Sequence, residues 1–128
     1  MESQTLKEID LYLEEFYPKS IEAGNQLARV KFDKTQVRGL ETLVASTNRF
    51  SEIMNYIKNQ AGKEKKDDKK WSRVAPLLLG QLEELEKKAK QLGGEDISAI
   101  LGIKMRLARG WIRQVVTHYL YEKSKKDK

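Results

Sequence analysis

Residues 33–62, DKTQVRGLETLVASTNRFSEIMNYIKNQAG, carry the clearest pattern in the chain. Leu40, Leu43, Thr47, Phe50, Met54, Ile57 and Ala61 recur in alternating steps of three and four. At ~100° per residue they form one apolar stripe along a helix. Asp33 or Thr35 can cap its start and Gly62 can end it. A cofactor box or a dimer zipper would need a longer run of heptads, so the stripe reads as core of a helical bundle.

Working outward, the same period recurs on both sides. Before it, Leu6, Ile9, Leu13, Phe16 and Tyr17 share a face of a helix expected from Ser3 to about Phe16. That helix is expected to stop before Pro18, because proline disfavours helix in the residue before it. A weaker helical segment, Lys19 to Ala28, follows with Ile21 and Leu27 as anchors. After the long helix comes KEKKDDKK at 63–70, expected to be a charged, mobile loop with nothing to bury. Helical pattern returns from Trp71 to Leu92 through Val74, Leu78, Leu82, Leu85 and Ala89, with Pro76 in the first turn or at a kink. Gly93 and Gly94 stop it. A last helix, Asp96 to Tyr121, is expected to pack through Ile97, Leu101, Met105, Ala108, Ile112, Val115 and Tyr119. Residues 123–128 then form a frayed basic tail. No hairpin dipeptide or period-2 run points to a strand. The expected fold is all-α, a single domain over residues 1–128 built as a bundle of about five helices.

The chain has 128 residues with 39% hydrophobic and 34% charged side chains, a folded composition with a heavily charged surface. No signal-peptide pattern opens it and no apolar run approaches the ~18 residues of a membrane span. A cytoplasmic protein without membrane contact is therefore expected. There is no cysteine, and His118 is the only histidine, so no zinc ligand set can be assembled. Carboxylates cluster at Asp67–Asp68 and at Glu83, Glu84 and Glu86. The latter precede Lys87, Lys88 and Lys90 at i,i+4 spacing, as on a solvated helix face. No serine or threonine has an adjacent base, and the glycines form no phosphate-cradling motif. The expectation is a binding protein with no catalytic residue, no cofactor and no metal.

Charge says more. The net charge is +6, yet residues 1–30 hold three cations (Lys7, Lys19, Arg29) against six acids, which leaves +9 for residues 31–128. An acidic head on a basic body suits a polyanion partner. On the last helix Arg106, Arg109 and Arg113 lie three and four apart, with Lys104 further round. No acid falls between Asp96 and Glu122, so these cations have no partner on their own helix. A second set is Lys34, which precedes the long helix near its N-terminus, with Arg38 and Arg49 on the helix, sharing with Tyr56 the face opposite the core stripe. Planar guanidinium groups suit phosphate, and a tyrosine beside them can stack on exposed bases. Two readings stay open: RNA contact through these residues, or a helical adaptor module that meets an acidic protein partner through its basic face.

The stretch KFDKTQVRGLETL, Lys31 to Leu43, resembles the small-subunit family of type III CRISPR effector complexes, particularly the Csm type. That family carries a Thr-x-[Ile/Val]-Arg signature opening a central helix, matched here by Thr35, Val37 and Arg38. The basic closing helix with Trp111 to Tyr121 agrees, so the resemblance spans roughly residues 28–122. It implies a non-catalytic subunit of a ribonucleoprotein for antiviral defence, stacked with copies of itself and with other effector subunits. Such a subunit would support the duplex of guide RNA and target RNA by contacting its backbone. Arg38 would be the signature arginine, and Arg49, Arg106, Arg109 and Arg113 would face the RNA. The acidic first helix and the 63–70 insertion depart from that family's pattern.

Overall fold

The computed structural model describes residues 1–126, with side chains through Lys125. It contains α1 (Ser3–Arg29), α2 (Lys34–Ser46), α3 (Phe50–Gly62), α4 (Lys70–Gly93) and α5 (Ile97–Lys126), and no strand among the described residues. The all-α bundle expected from the sequence is thus what forms. The last two positions of the expected basic tail lie outside the described residues, and helix continues through the rest of it.

Two helix boundaries differ from expectation. First, α1 runs straight through Pro18. Proline removes one N–H and costs ~3 kcal/mol inside a helix. Here, however, Pro18 and Glu14, whose carbonyl loses that N–H, are both exposed, so water can satisfy the freed oxygen. Meanwhile Ile9 and Phe16 before the proline, and Ser20, Ala23, Gly24, Leu27 and Ala28 after it, are all buried in one continuous helix. Burial on both sides of Pro18 outweighs the local loss.

Second, the long helix expected over 33–62 is two helices broken at Thr47–Arg49. Ser, Thr and Asn side chains compete with helical backbone hydrogen bonds, and all three stand together at 46–48. Ser46 Oγ donates back to the Thr42 carbonyl at 2.8 Å. Thr47 Oγ1 accepts the Arg49 N–H at 3.1 Å and donates to Glu52 at 2.9 Å, so it organises the first turn of α3. Each half then buries its own set: Val37, Leu40 and Val44 in α2, and Phe50, Ile53 and Ile57 in α3. Leu43 and Met54, expected on the stripe, are only partly buried. The start of α2 is as read: Asp33 accepts from the Gln36 N–H at 2.9 Å while Gln36 accepts from the Asp33 N–H, a reciprocal cap.

The 63–69 segment also holds more structure than its composition suggests. Glu64 accepts the N–H groups of Trp71 and Ser72, at 2.7 and 2.9 Å, and the Ser72 hydroxyl. It is a cap delivered from the preceding loop onto the otherwise open start of α4. Pro76 lies in the second turn of α4, and the helix continues past it.

Helix α5 is the central element, bounded by α1, α4 and the α2–α3 pair. Helices α4 and α5 form an antiparallel hairpin turned by Gly93, whose Cα lies where a Cβ would be 2.5 Å from Ile100, and by Gly94 at φ 62°. Asp96 starts α5 by accepting the Ala99 N–H. Helix α1 runs alongside α5 in the same direction, and Gly24 allows the closest approach: a Cβ there would sit 2.6 Å from the Val115 carbonyl. Gly110 likewise makes room for Leu13, whereas nothing approaches Gly80. A buried relay ties the three long helices together. The Trp111 indole donates to Gln81 Oε1 and Gln81 Nε2 donates to the Lys19 carbonyl, both at 2.8 Å. Tyr119 closes the far end by donating to the Phe32 carbonyl at 2.6 Å. The core stripe expected on α5 holds from Met105 to Tyr119, but Ile97 is 83% exposed and Leu101 41%.

Candidate nucleic-acid interface

Because α5 is covered on most sides, its buried residues occupy nearly the whole circumference: Ile103, Met105, Leu107, Ala108, Trp111, Ile112, Val115, Val116 and Tyr119. One strip stays open, and it carries Arg106, Arg113 and Thr117, all exposed, with Arg109 at its margin. Among the described residues no carboxylate lies within ion-pair distance of Arg106, Arg109 or Arg113. None of the acids of α1 is among the ion pairs of the described residues; the pair α1 does make is through its cation Lys19, with Glu84 of α4 at 2.5 Å.

Beside this strip lies a groove of about 600 Å³ between α2 and α5, lined by Glu41, Thr42, Ala45, Ser46, Arg109, Ile112 and Arg113. Arg38 lies one turn before Thr42 and Lys34 one turn before that, which puts both on the face of α2 that carries the groove-lining Thr42. Arg38 pairs with Glu41 at 2.7 Å across i,i+3. The groove itself brings together Arg109 and Arg113, and Arg38 reaches it through its pair with Glu41; Arg106 lies on the adjoining strip of α5 and Lys34 a turn before Arg38 on α2.

Arg109 has a different task from its neighbours. Its Nη2 donates to the Thr47 carbonyl at 3.1 Å, across the break between α2 and α3. It is partly buried and holds the corner in place, so it forms part of the groove wall more than a free cation. Sequence spacing alone grouped it with Arg106 and Arg113; nothing in the spacing marks the carbonyl it meets.

Arg49 and Lys104 belong to a second groove of about 400 Å³, with Phe50, Met54, Asn55, Lys58, Glu86 and Leu101. There Lys104 and Arg49 are engaged, while Lys58 has no carboxylate within ion-pair distance among the described residues. Lys104, 17% exposed at its side chain, pairs with Glu86 at 2.8 Å and lies over the Phe50 ring. Arg49 pairs with Glu52 at 3.5 Å. The break at 47–49 also dissolves the expected face of Arg38, Arg49 and Tyr56. Tyr56 is instead partly buried, edge-on to Trp71 and close to Gly39. The groove-lining Thr42, Ala45 and Ile112 went unnoticed as site residues because small and apolar side chains on a helix read as packing.

His118 accepts or donates a hydrogen bond with the Tyr17 hydroxyl at 2.7 Å and stacks edge-on with that ring, so its partner is a phenol and not a carboxylate. Among the described residues no group of three His, Cys, Asp or Glu side chains could hold a metal ion, and no helix is long and apolar enough to cross a membrane. Comparison with protein families, with characterised proteins and with solved structures finds no match to this chain.

Proposed function

We propose that the chain is a non-catalytic, cytoplasmic RNA-binding subunit of a type III CRISPR ribonucleoprotein, contacting the guide or target RNA backbone through the α2–α5 groove. The observation that carries this reading is the pair Arg106 and Arg113: exposed, on one strip of the central helix, and without a carboxylate partner among the described residues. Cations left unpaired on a rigid helix have their charge available for phosphate, and guanidinium groups match phosphate in a two-bond geometry. The resemblance at Thr35, Val37 and Arg38 adds the type of assembly, and Arg38 reaches the same groove through its pair with Glu41.

The test is RNA binding by fluorescence anisotropy across a salt series. Wild-type affinity should fall steeply with salt, by about 0.7–0.9 log units per log unit of salt for each phosphate contacted. The double variant Arg106→Glu, Arg113→Glu should bind roughly 100-fold more weakly, the direct effect of reversing two contacting charges. Its thermal midpoint should stay within about 2 °C, as for exposed positions generally. Arg109 is left intact because changing it would disturb the corner at Thr47. Binding equal to wild type in the double variant would remove the RNA reading. The assembly is tested separately, by sequencing RNA recovered with the chain from its native cells. Repeat-derived guide RNA is expected, and its absence would break the link to CRISPR effectors.

A further inference from the structure

The open strip of α5 does not end at its last arginine. Arg113, Thr117 and Tyr121 follow at four-residue steps, which keeps them on neighbouring positions of one helix face. Tyr121 is 58% exposed, although a tyrosine ring gains from burial. The other exposed large apolar side chains are placed differently. Met1 precedes α1 and Leu11 lies on it, Ile97 and Leu101 are near the opposite end of α5, and Tyr17 is engaged with His118. Lys125 lies 4.4 Å over the Tyr121 ring and pairs with Glu122 at 3.1 Å, so one face of the ring is backed by an ammonium while the ring stays open to solvent. From Arg113 to Tyr121 is about 12 Å along the helix axis. That is the length of three to four stacked nucleotides at ~3.4 Å each.

We propose that Tyr121 is a base-stacking platform at the end of the arginine strip, so that this surface takes RNA with an unpaired nucleotide there in preference to a continuous duplex. The inference rests on the RNA-binding reading above and adds the form of the ligand. A duplex keeps its bases stacked inside and offers Tyr121 only sugar and phosphate. A single strand can turn a base out onto the ring, a contact available to every base and so independent of sequence. The arginines hold the backbone while Lys125 supplies a cation behind the ring.

Two labelled RNAs of equal length, one single-stranded and one a blunt duplex, are titrated with wild type and with Tyr121→Ala, Tyr121→Phe and the Arg106→Glu, Arg113→Glu double variant. Tyr121→Ala should weaken the single strand about tenfold, in line with one lost base stack, and leave the duplex within about twofold. Its salt slope should match wild type, because no phosphate contact is lost. Tyr121→Phe should bind like wild type. If Tyr121→Ala binds the single strand like wild type while the arginine double variant is impaired, the stacking site is overturned and RNA binding stands. The same holds if Tyr121→Phe is as weak as Tyr121→Ala, since the hydroxyl would then be the contact. If the arginine double variant binds both RNAs like wild type, the RNA reading itself falls.

Discussion

The two grooves beside α5 hold similar cations and differ in what those cations touch. In the groove at the start of α3, Lys104 is held by Glu86 and Arg49 by Glu52. At the groove between α2 and α5, Arg113 and the adjoining Arg106 have no carboxylate within ion-pair distance among the described residues, and Glu41, which lines that groove, is taken by Arg38. A cation that already has a carboxylate within hydrogen-bond reach must give it up before it can meet a phosphate. A chain can therefore be basic overall while its faces differ in how much of their positive charge is free for a polyanion, and the partner carboxylates set much of that difference.

The sharpest way to break the comparison is to remove the residue that shapes one groove without being its ligand. Arg109→Ala should lower stability by about 2 kcal/mol, since the Thr47 carbonyl loses a charged donor in a largely buried place. At this chain length that corresponds to a thermal midpoint lower by roughly 8 °C, measured by circular dichroism. An unchanged midpoint would make Arg109 a free cation after all. Next, Ala45→Glu sets a carboxylate among Arg109, Ile112 and Arg113 and so imitates the paired groove. It should weaken RNA binding about tenfold while leaving the exposed helix position stable within ~0.5 kcal/mol. The reverse change is smaller. Glu86→Gln frees Lys104 of its partner, and should raise RNA affinity about threefold at low salt, with the gain screened away at high salt. Glu52→Gln, which frees the more exposed Arg49, should change affinity by no more than about twofold, as exposed pairs hold each other weakly.

Much of the bundle was visible in the sequence because burial on a helix leaves a period. The cap at Asp33, the Gly93–Gly94 turn and the core of α4 all follow from side chains that act locally. What stayed hidden depends on contacts across helices. Pro18 looked like a stop because its local cost is fixed, whereas the burial that overrides it comes from α5, some 90 residues on. The break at Thr47 left the three-four period nearly intact, so periodicity could not reveal it; the Ser46–Thr47–Asn48 run was the available signal. Glu64 looked like one more charge in a solvated run, and its role as a cap depends on where the chain returns. On the site, spacing correctly put Arg106 and Arg113 on one strip. It could not separate them from Arg109, which faces a carbonyl of another helix, or from Lys104, whose carboxylate lies on α4.

The pairing of α1 with α5 also sets a timetable for the newborn chain. Helix α1 finds its main neighbour in α5, and the buried face of Ile9, Phe16, Ala23 and Leu27 has to wait until α5 is made, beginning roughly 70 residues later. At 5–20 residues per second that is on the order of 4–14 s during which this face is available to chaperones or to other nascent chains. Helices α2, α3 and α4 can meet in the meantime, since each lies next to its neighbour in sequence. A chain interrupted before α5 would leave most of this face of α1 uncovered, so the 30 residues of α5 act as the checkpoint for the bundle.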